Sequence, residues 1–330
     1  MFDPPNALFS ACSFLGFIIS IIPLYWHWEA QNAGACLYMF WCAIANLNQF
    51  INSVVWNKSA LNYAPVWCDI SMRLLIAGNV SLISASLCMT RRLYSVASYA
   101  KYSKRRELSI DLSIGLGIPV LSMVLTYIVQ GRRFDIYEEV GCWLSLVNRP
   151  PTYPLFYAWP LVLGLVSGGF GVATVYRVLH RHRSLRGVAN YQDNFSRHVR
   201  VLILSCADII CTVPLSSYFI YVNLQGITPW VSWSDVHAQF SSVWQLPSVV
   251  WKAEPYYGSV LQVCRWSNFL CALLFFATIG TGEEALRHYC GFFQAIGTRL
   301  RRVGLWVTGV ARRCFRPRCD FMMNSGGNEV

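Results

Sequence analysis

Residues 69–106 read DISMRLLIAGNVSLISASLCMTRRLYSVASYAKYSKRR. An apolar run from Asp69 to Ser95 gives way to six Lys or Arg between Arg91 and Arg106. A helix needs about 20 mostly apolar residues to cross a hydrocarbon core of about 30 Å. A run of that length ending in clustered positive charge reads as a transmembrane helix whose C-terminal end lies in the cytoplasm.

Six further runs follow the same rule: Ala7 to Trp26, Ala33 to Trp56, Ile110 to Gln130, Tyr153 to Val178, Val199 to Val222 and Ser259 to Ile279. They are continuously apolar, without the strict alternation of barrel strands. The expected fold is an all-α membrane protein. A seven-transmembrane helix bundle occupies residues 1–282, and a short basic cytoplasmic tail, residues 283–330, carries an amphipathic helix. Met1 to Asn6 holds no Lys or Arg, so the first run reads as an uncleaved helix rather than a signal peptide.

Composition agrees. Only 13% of the 330 residues are charged and 55% are hydrophobic, and mean hydropathy is +0.39. Soluble domains carry about 25% charged residues. The net charge of +11 does not mark a nucleic-acid binder, because the basic residues sit in short clusters between apolar runs. With the N-terminus outside, 20 of the 27 Lys and Arg fall on inner segments, five on outer ones and two (Arg73 and Arg265) within runs. That asymmetry orients the chain as a multi-pass protein of the plasma membrane.

Chemistry-bearing patterns are few. No metalloprotease, nucleophile-elbow or Cys-x-x-Cys motif occurs, so no catalytic residue, metal or cofactor is expected. His180 and His182 sit among Arg177, Arg181 and Arg183, which would repel a metal cation. The four lysines all lie outside the runs, which excludes a retinal Schiff base. Asn57-Lys58-Ser59 is a glycosylation sequon on the outer side. Cys68 and Cys142 are the cysteines expected in outer loops, where the oxidising exterior favours a bridge. Most of the other eleven cysteines lie inside runs as soft packing residues. Cys290 and Cys314, beside basic sequence, are juxtamembrane palmitoylation candidates.

Ionisable groups within a membrane are costly and draw attention. Arg73 lies four residues after Asp69, the spacing of an intrahelical pair. Arg73 and Arg265, both at outer depth, alternatively offer two cations to an acceptor-rich ligand. Asp208, inside the sixth run, reads as a polar latch, with Asn46, Asn48 or Asn52 as candidate partners. Pro214 would kink the same run, either as a static bend or as a switch. Trp230 and Trp233, in the outer loop 223–258, fit either an interfacial belt or ligand contact. Gly164 and Gly168 form a GxxxG that permits close helix approach.

Longer motifs narrow the reading further. Trp67-Cys68-Asp69-Ile70, Leu87-Cys88-Met89-Thr90-Arg91-Arg92-Leu93-Tyr94 and Lys104-Arg105-Arg106-Glu107 occur in order. They are followed by Tyr127-Ile128-Val129-Gln130-Gly131-Arg132-Arg133-Phe134-Asp135-Ile136-Tyr137-Glu138-Glu139, Trp159-Pro160 and Pro229-Trp230-Val231-Ser232-Trp233. Together the chain resembles the class D fungal G-protein-coupled receptors for lipidated, a-factor-type mating pheromones, mushroom branch. The resemblance covers about four-fifths of the chain. It implies a peptide ligand ending in a farnesylated, carboxymethylated cysteine, and activation of a heterotrimeric G protein upstream of a mating kinase cascade. By match to the family motif, Arg91, Arg92, Arg197 and Arg200 form the G-protein end. Membrane lipid is a further expected partner, and a homodimer is compatible with the reading. The alternatives are a receptor-like paralogue without a mating ligand and a seven-helix solute transporter, although no internal repeat of the transporter kind is present.

Overall fold

The computed structural model describes residues 5–98, 103–184, 191–280 and Gln294. Of the expected tail only Gln294 is described, and Cys290 and Cys314 lie outside the described residues. Within them, helices α1 (Asn6–Ile21), α2 (Leu24–Glu29), α3 (Ala33–Val55) and α4 (Pro65–Ala97) come first. Helices α5 (Lys104–Leu112) and α6 (Ile118–Thr126) follow, joined by a π turn at Ser113–Gly117. Then come α7 (Ala158–Ser184), α8 (Tyr191–Leu224), α9 (Trp233–Val236), α10 (Ser248–Ala253) and α11 (Pro255–Phe275). Each of the seven apolar runs is thus helical. The first is broken because Pro23 has no N–H to continue α1, so the chain turns at Ile22–Pro23 before α2. Pro65 and Pro255 sit in the first turns of α4 and α11, where a missing N–H costs nothing.

Four described helical rods are long and apolar enough to cross a membrane: Pro65–Ala97, Lys104–Val129, Tyr153–Val178 and Gly258–Gly280. α4 is the hub and packs against α3, α6, α7 and α8. Its most apolar stretch is 67% buried, against 28–33% for the other three. Those rods instead turn apolar side chains such as Val124, Val162, Leu165 and Leu270 outward.

Polar groups have gone inside. Trp67 Nε1 donates to Asn52 Oδ1 at 2.7 Å, and Asn52 Nδ2 donates to Ser71 Oγ at 2.8 Å, joining α3 to α4. Asn46 Nδ2 reaches the Asn268 carbonyl of α11 at 3.2 Å. Thr90 and Ser167 meet at 3.2 Å between α4 and α7. The π turn presents the Gly115 carbonyl to Trp41 Nε1 at 2.8 Å. Apolar outside with hydrogen-bonded polar seams inside is the distribution that a hydrocarbon solvent favours. Gly164 and Gly168 face Val213 and Ile209 of α8, as the GxxxG spacing suggests.

One feature was not legible as such in the sequence: segments between the helices form a sheet of order β2-β1-β3. β1 (Phe134–Tyr137) pairs antiparallel with β2 (Gly141–Trp143), with Ile136 opposite Cys142. It also pairs parallel with β3 (Val243–Leu246), with Ile136 opposite Gln245. The turn between β1 and β2 needs positive φ at Glu139 (68°) and Gly141 (83°). A Cβ at Gly141 would stand 2.6 Å from Asn52 Cβ.

A disulfide joins Cys68, in the first turn of α4, to Cys142 of β2. Both are fully buried beside Trp56, Met72, Phe134 and Ile136. Closing a loop of 74 residues constrains the unfolded chain, an effect of about 4 kcal/mol in the entropy model. Replacing Cys68, Cys142 or both by Ser should therefore lower thermal stability in detergent by several degrees, with the double variant no worse than either single one. Gly141→Ala should also destabilise, by about 1–3 kcal/mol, through strain at positive φ and the clash with Asn52. A melting temperature equal to that of the wild type in both series would contradict this account of the outer cover.

Candidate functional site

Helix ends sort into two groups. At one end, Asn6 of α1 bonds Asn57 beyond α3 at 2.7 Å, and Asn148 before α7 bonds the Asn223 carbonyl of α8 at 2.7 Å. At the other end, Arg92 of α4 bonds the Gln31 carbonyl at 2.8 Å, and Arg177 of α7 bonds Tyr94 OH at 2.7 Å. Successive rods therefore alternate in direction.

The sheet covers the first end. The Glu139 N–H donates to the Trp56 carbonyl at 2.8 Å, and Trp251 Nε1 donates to the Glu138 carbonyl at 3.1 Å. Lys252 pairs with Glu139 at 2.9 Å, and Arg149 pairs with Asp235. Arg132 makes two 2.8 Å bonds to Asp135, and its guanidinium lies 3.7 Å from the Trp244 ring centroid. The Asp135 hydrogen bonds raise the Arg132 pKa above its ordinary value, with burial opposing them.

Arg265 lies beneath this cover and is 3% exposed. It donates to Asn6 Oδ1 at 2.8 Å and to the Glu139 carbonyl at 2.9 Å, with Phe9 stacked 3.9 Å away. Arg73 is elsewhere, against α6. It bonds the Met123 carbonyl at 3.3 Å, and the Tyr127 ring centroid lies 5.8 Å off. The two cations share none of these partners, and only Arg73 lines the cleft described below. The Asp69–Arg73 pair expected from their spacing is not formed either. Asp69 accepts from Arg133 Nε at 2.8 Å in a two-pronged pair, because the chain after α6 brings a guanidinium fork onto the same carboxylate.

Asp69, Arg73, Ile70, Met72 and Leu74 of α4 form one wall of a cleft of about 580 Å³. Met123 and Tyr127 form the other wall, and Arg133 and Phe240 lie over it. Trp233 starts α9 and stacks on His237 at 4.0 Å; His237 in turn lies 5.7 Å from the Tyr127 ring. Trp233, 50% exposed, thus sits in an aromatic cluster with the cleft residues Tyr127 and Phe240 but does not itself line the cleft. Trp230 is half-buried nearby in the chain, after Pro229, whose carbonyl accepts from Arg149 at 2.6 Å.

At the opposite end, Arg91 Nη2 lies 2.8 Å from Glu107 and 2.7 Å from Asp111, both on α5. Asp111 is 1% exposed. Sequence reading placed Arg91 here but missed its partners. The signal was available: two carboxylates one helical turn apart, entering an apolar run, require a cation. Arg197 and Arg200 lie on the first half of α8, and Pro214 is inside that helix. The side chains of Arg197, Arg200 and Asp208 fall outside the described residues. Asn46 and Asn52, proposed as partners for Asp208, are engaged with α11 and α4 as described above.

Comparison with known proteins places these features in a family. The family model for STE3, pheromone A receptor, matches residues 8–298. The chain is 40% identical over 299 residues to the Pheromone B alpha 3 receptor of Schizophyllum commune, covering 88% of this chain and 48% of that one. It is 30% identical over 285 residues to Pheromone receptor 1 of Mycosarcoma maydis, covering 83% and 80%. It is 24% identical over 304 residues to the Pheromone a factor receptor of Saccharomyces cerevisiae, covering 88% and 62%. The chain spans about half the length of the first of these relatives. A helical protein with membrane-capable rods, it belongs to the pheromone A receptor family, which are receptors rather than enzymes.

Proposed function

We propose that the chain is a G-protein-coupled receptor of the plasma membrane that binds a farnesylated peptide mating pheromone and activates a heterotrimeric G protein. In this reading it crosses the bilayer seven times, with residues 1–282 as the bundle and residues 283–330 as a cytoplasmic tail. The observation that carries the proposal is the family match over residues 8–298, which takes in every rod of the bundle. The alternating helix ends and the outward apolar side chains support the seven crossings. The sheet and its disulfide lie on the outer side, with Asn57 exposed there for glycosylation.

Arg73, Trp230 and Trp233 are the proposed ligand-facing residues, and Arg265 serves the ligand through the cover it holds. Arg91, Arg92, Arg197 and Arg200 form the proposed G-protein face, with Pro214 and Asp208 as switch elements in α8. In the described arrangement Arg91 is engaged by α5, so a G protein must compete with Glu107 and Asp111 for it.

Two measurements test this reading. Expressed in a pheromone-blind yeast reporter, the protein should respond to at least one member of a broad panel of farnesylated peptides and to none of the unprenylated versions. Silence across the panel with the protein at the cell surface would contradict it. Asp111→Asn removes a charged hydrogen bond of about 1.5–3 kcal/mol from the resting contact. Ligand-free signalling should rise by about tenfold or more, with a smaller rise for Glu107→Gln because Glu107 is 18% exposed. Unchanged or lower basal output at normal surface levels would count against a restraining role for the cluster.

A further inference from the structure

We propose that the cleft between α4 and α6 seats the prenyl-cysteine end of the ligand, which enters sideways from the outer leaflet and not through the aqueous end of the bundle. This inference rests on the lipopeptide reading above.

Three observations converge. First, the aqueous end is closed. The sheet is fastened through Cys68–Cys142, Lys252–Glu139 and Arg149–Asp235, with Trp56, Trp251 and Arg265 buried beneath it. Second, the side is open. The cleft of about 580 Å³ falls in the range of about 300–1,000 Å³ that small-ligand sites occupy. It lies beside outward apolar side chains, with Ile70 49%, Val66 69% and Val124 63% exposed. A lipid tail partitioned in the membrane meets this wall without crossing water.

Third, the lining is amphiphilic in the right order. Leu74, Met72 and Met123 supply an adaptable apolar surface. Arg73 stands about 12 Å along α4 from its outer end. Among the described residues Arg73 makes no direct ion pair: Arg133 takes both hydrogen bonds to Asp69, whose carboxylate acts on Arg73 only at a distance. A cation at that depth gains from an acceptor that is cheap to desolvate. An ester or peptide carbonyl qualifies, whereas an ionised phosphate carries a far larger desolvation cost. One apolar chain fits a space of this size better than the two chains of a phospholipid. A carboxymethylated cysteine with a single prenyl thioether meets both conditions.

The test uses the full chain in phosphatidylcholine nanodiscs. The probe is N-acetyl-cysteine methyl ester bearing a farnesyl thioether with a diazirine in the chain, and cross-links are mapped by mass spectrometry. Labelling should fall within residues 70–74 and 123–127. Unlabelled N-acetyl-S-farnesyl-cysteine methyl ester should protect these sites, and the S-palmitoyl analogue should not. Leu74→Trp, which fills the cleft, and Arg73→Gln should each weaken protection about tenfold, while Arg73→Lys should retain most of it. Cross-links mapping to other helices, equal protection by the palmitoyl analogue, or protection unaltered in both disruptive variants would overturn the proposal. The readout needs no G protein. A silent reporter with protected labelling would count against signalling, and an active reporter with labelling elsewhere would count against this site alone.

Discussion

In hydrocarbon there is no water to satisfy a peptide group, so each N–H and C=O on the path must be bonded within its own element. That constraint makes the apolar runs helices. It also explains why polar contacts run between them beside the apolar clusters. Apolar side chains gain little by leaving lipid for one another, whereas an amide or hydroxyl gains a partner by turning inward. Asn46, Asn52, Ser71, Thr90 and Ser167 hold the bundle on those terms, while the valines and leucines of the outer rods face outward.

α4 carries the consequences of that arrangement furthest. At 33 residues it is about 50 Å long, more than a hydrocarbon core requires. Its N-terminal turn is stapled to the sheet through Cys68, and its C-terminal part is gripped by Glu107 and Asp111. Arg73 and Arg91 are separated by five helical turns, about 27 Å, and therefore share one face. Both look onto the Lys104–Val129 rod: Arg73 meets Met123 and Tyr127, and Arg91 meets Glu107 and Asp111. The proposed ligand cleft and the proposed G-protein contact thus lie along a single helix–helix seam. A ligand that shifts the outer part of this seam acts on the same pair of rods that holds Arg91.

The helices were legible because length and apolarity are local properties of the chain. The Cys68–Cys142 juxtaposition was legible too, since only those two cysteines were expected in outer loops. What escaped was set by partners distant in sequence. β1 and β3 are short, lie in separate loops and pair in parallel, so neither shows a hairpin signal. Asp69 found Arg133, 64 positions away, in place of Arg73 one turn along. Spacing predicted a pair that tertiary structure reassigned. Arg73 instead bonds the Met123 carbonyl in the cleft, and Arg265, at a similar depth, is held under the cover by Asn6 and the Glu139 carbonyl. The break at Pro23 was readable from proline's missing N–H but was overridden by the continuity of the hydrophobic run.

All of this depends on the sheet and the Arg91 cluster lying on opposite sides of a bilayer. The chain's own lysines allow a direct measurement. Lys58 follows α3 on the sheet side, and Lys104 opens α5 beside Arg91; both are exposed. Intact cells treated with a membrane-impermeant amine reagent should yield modified Lys58 and unmodified Lys104, with Lys104 reacting only after the membrane is opened. Equal modification of both in sealed cells, or the reverse order, would contradict the account.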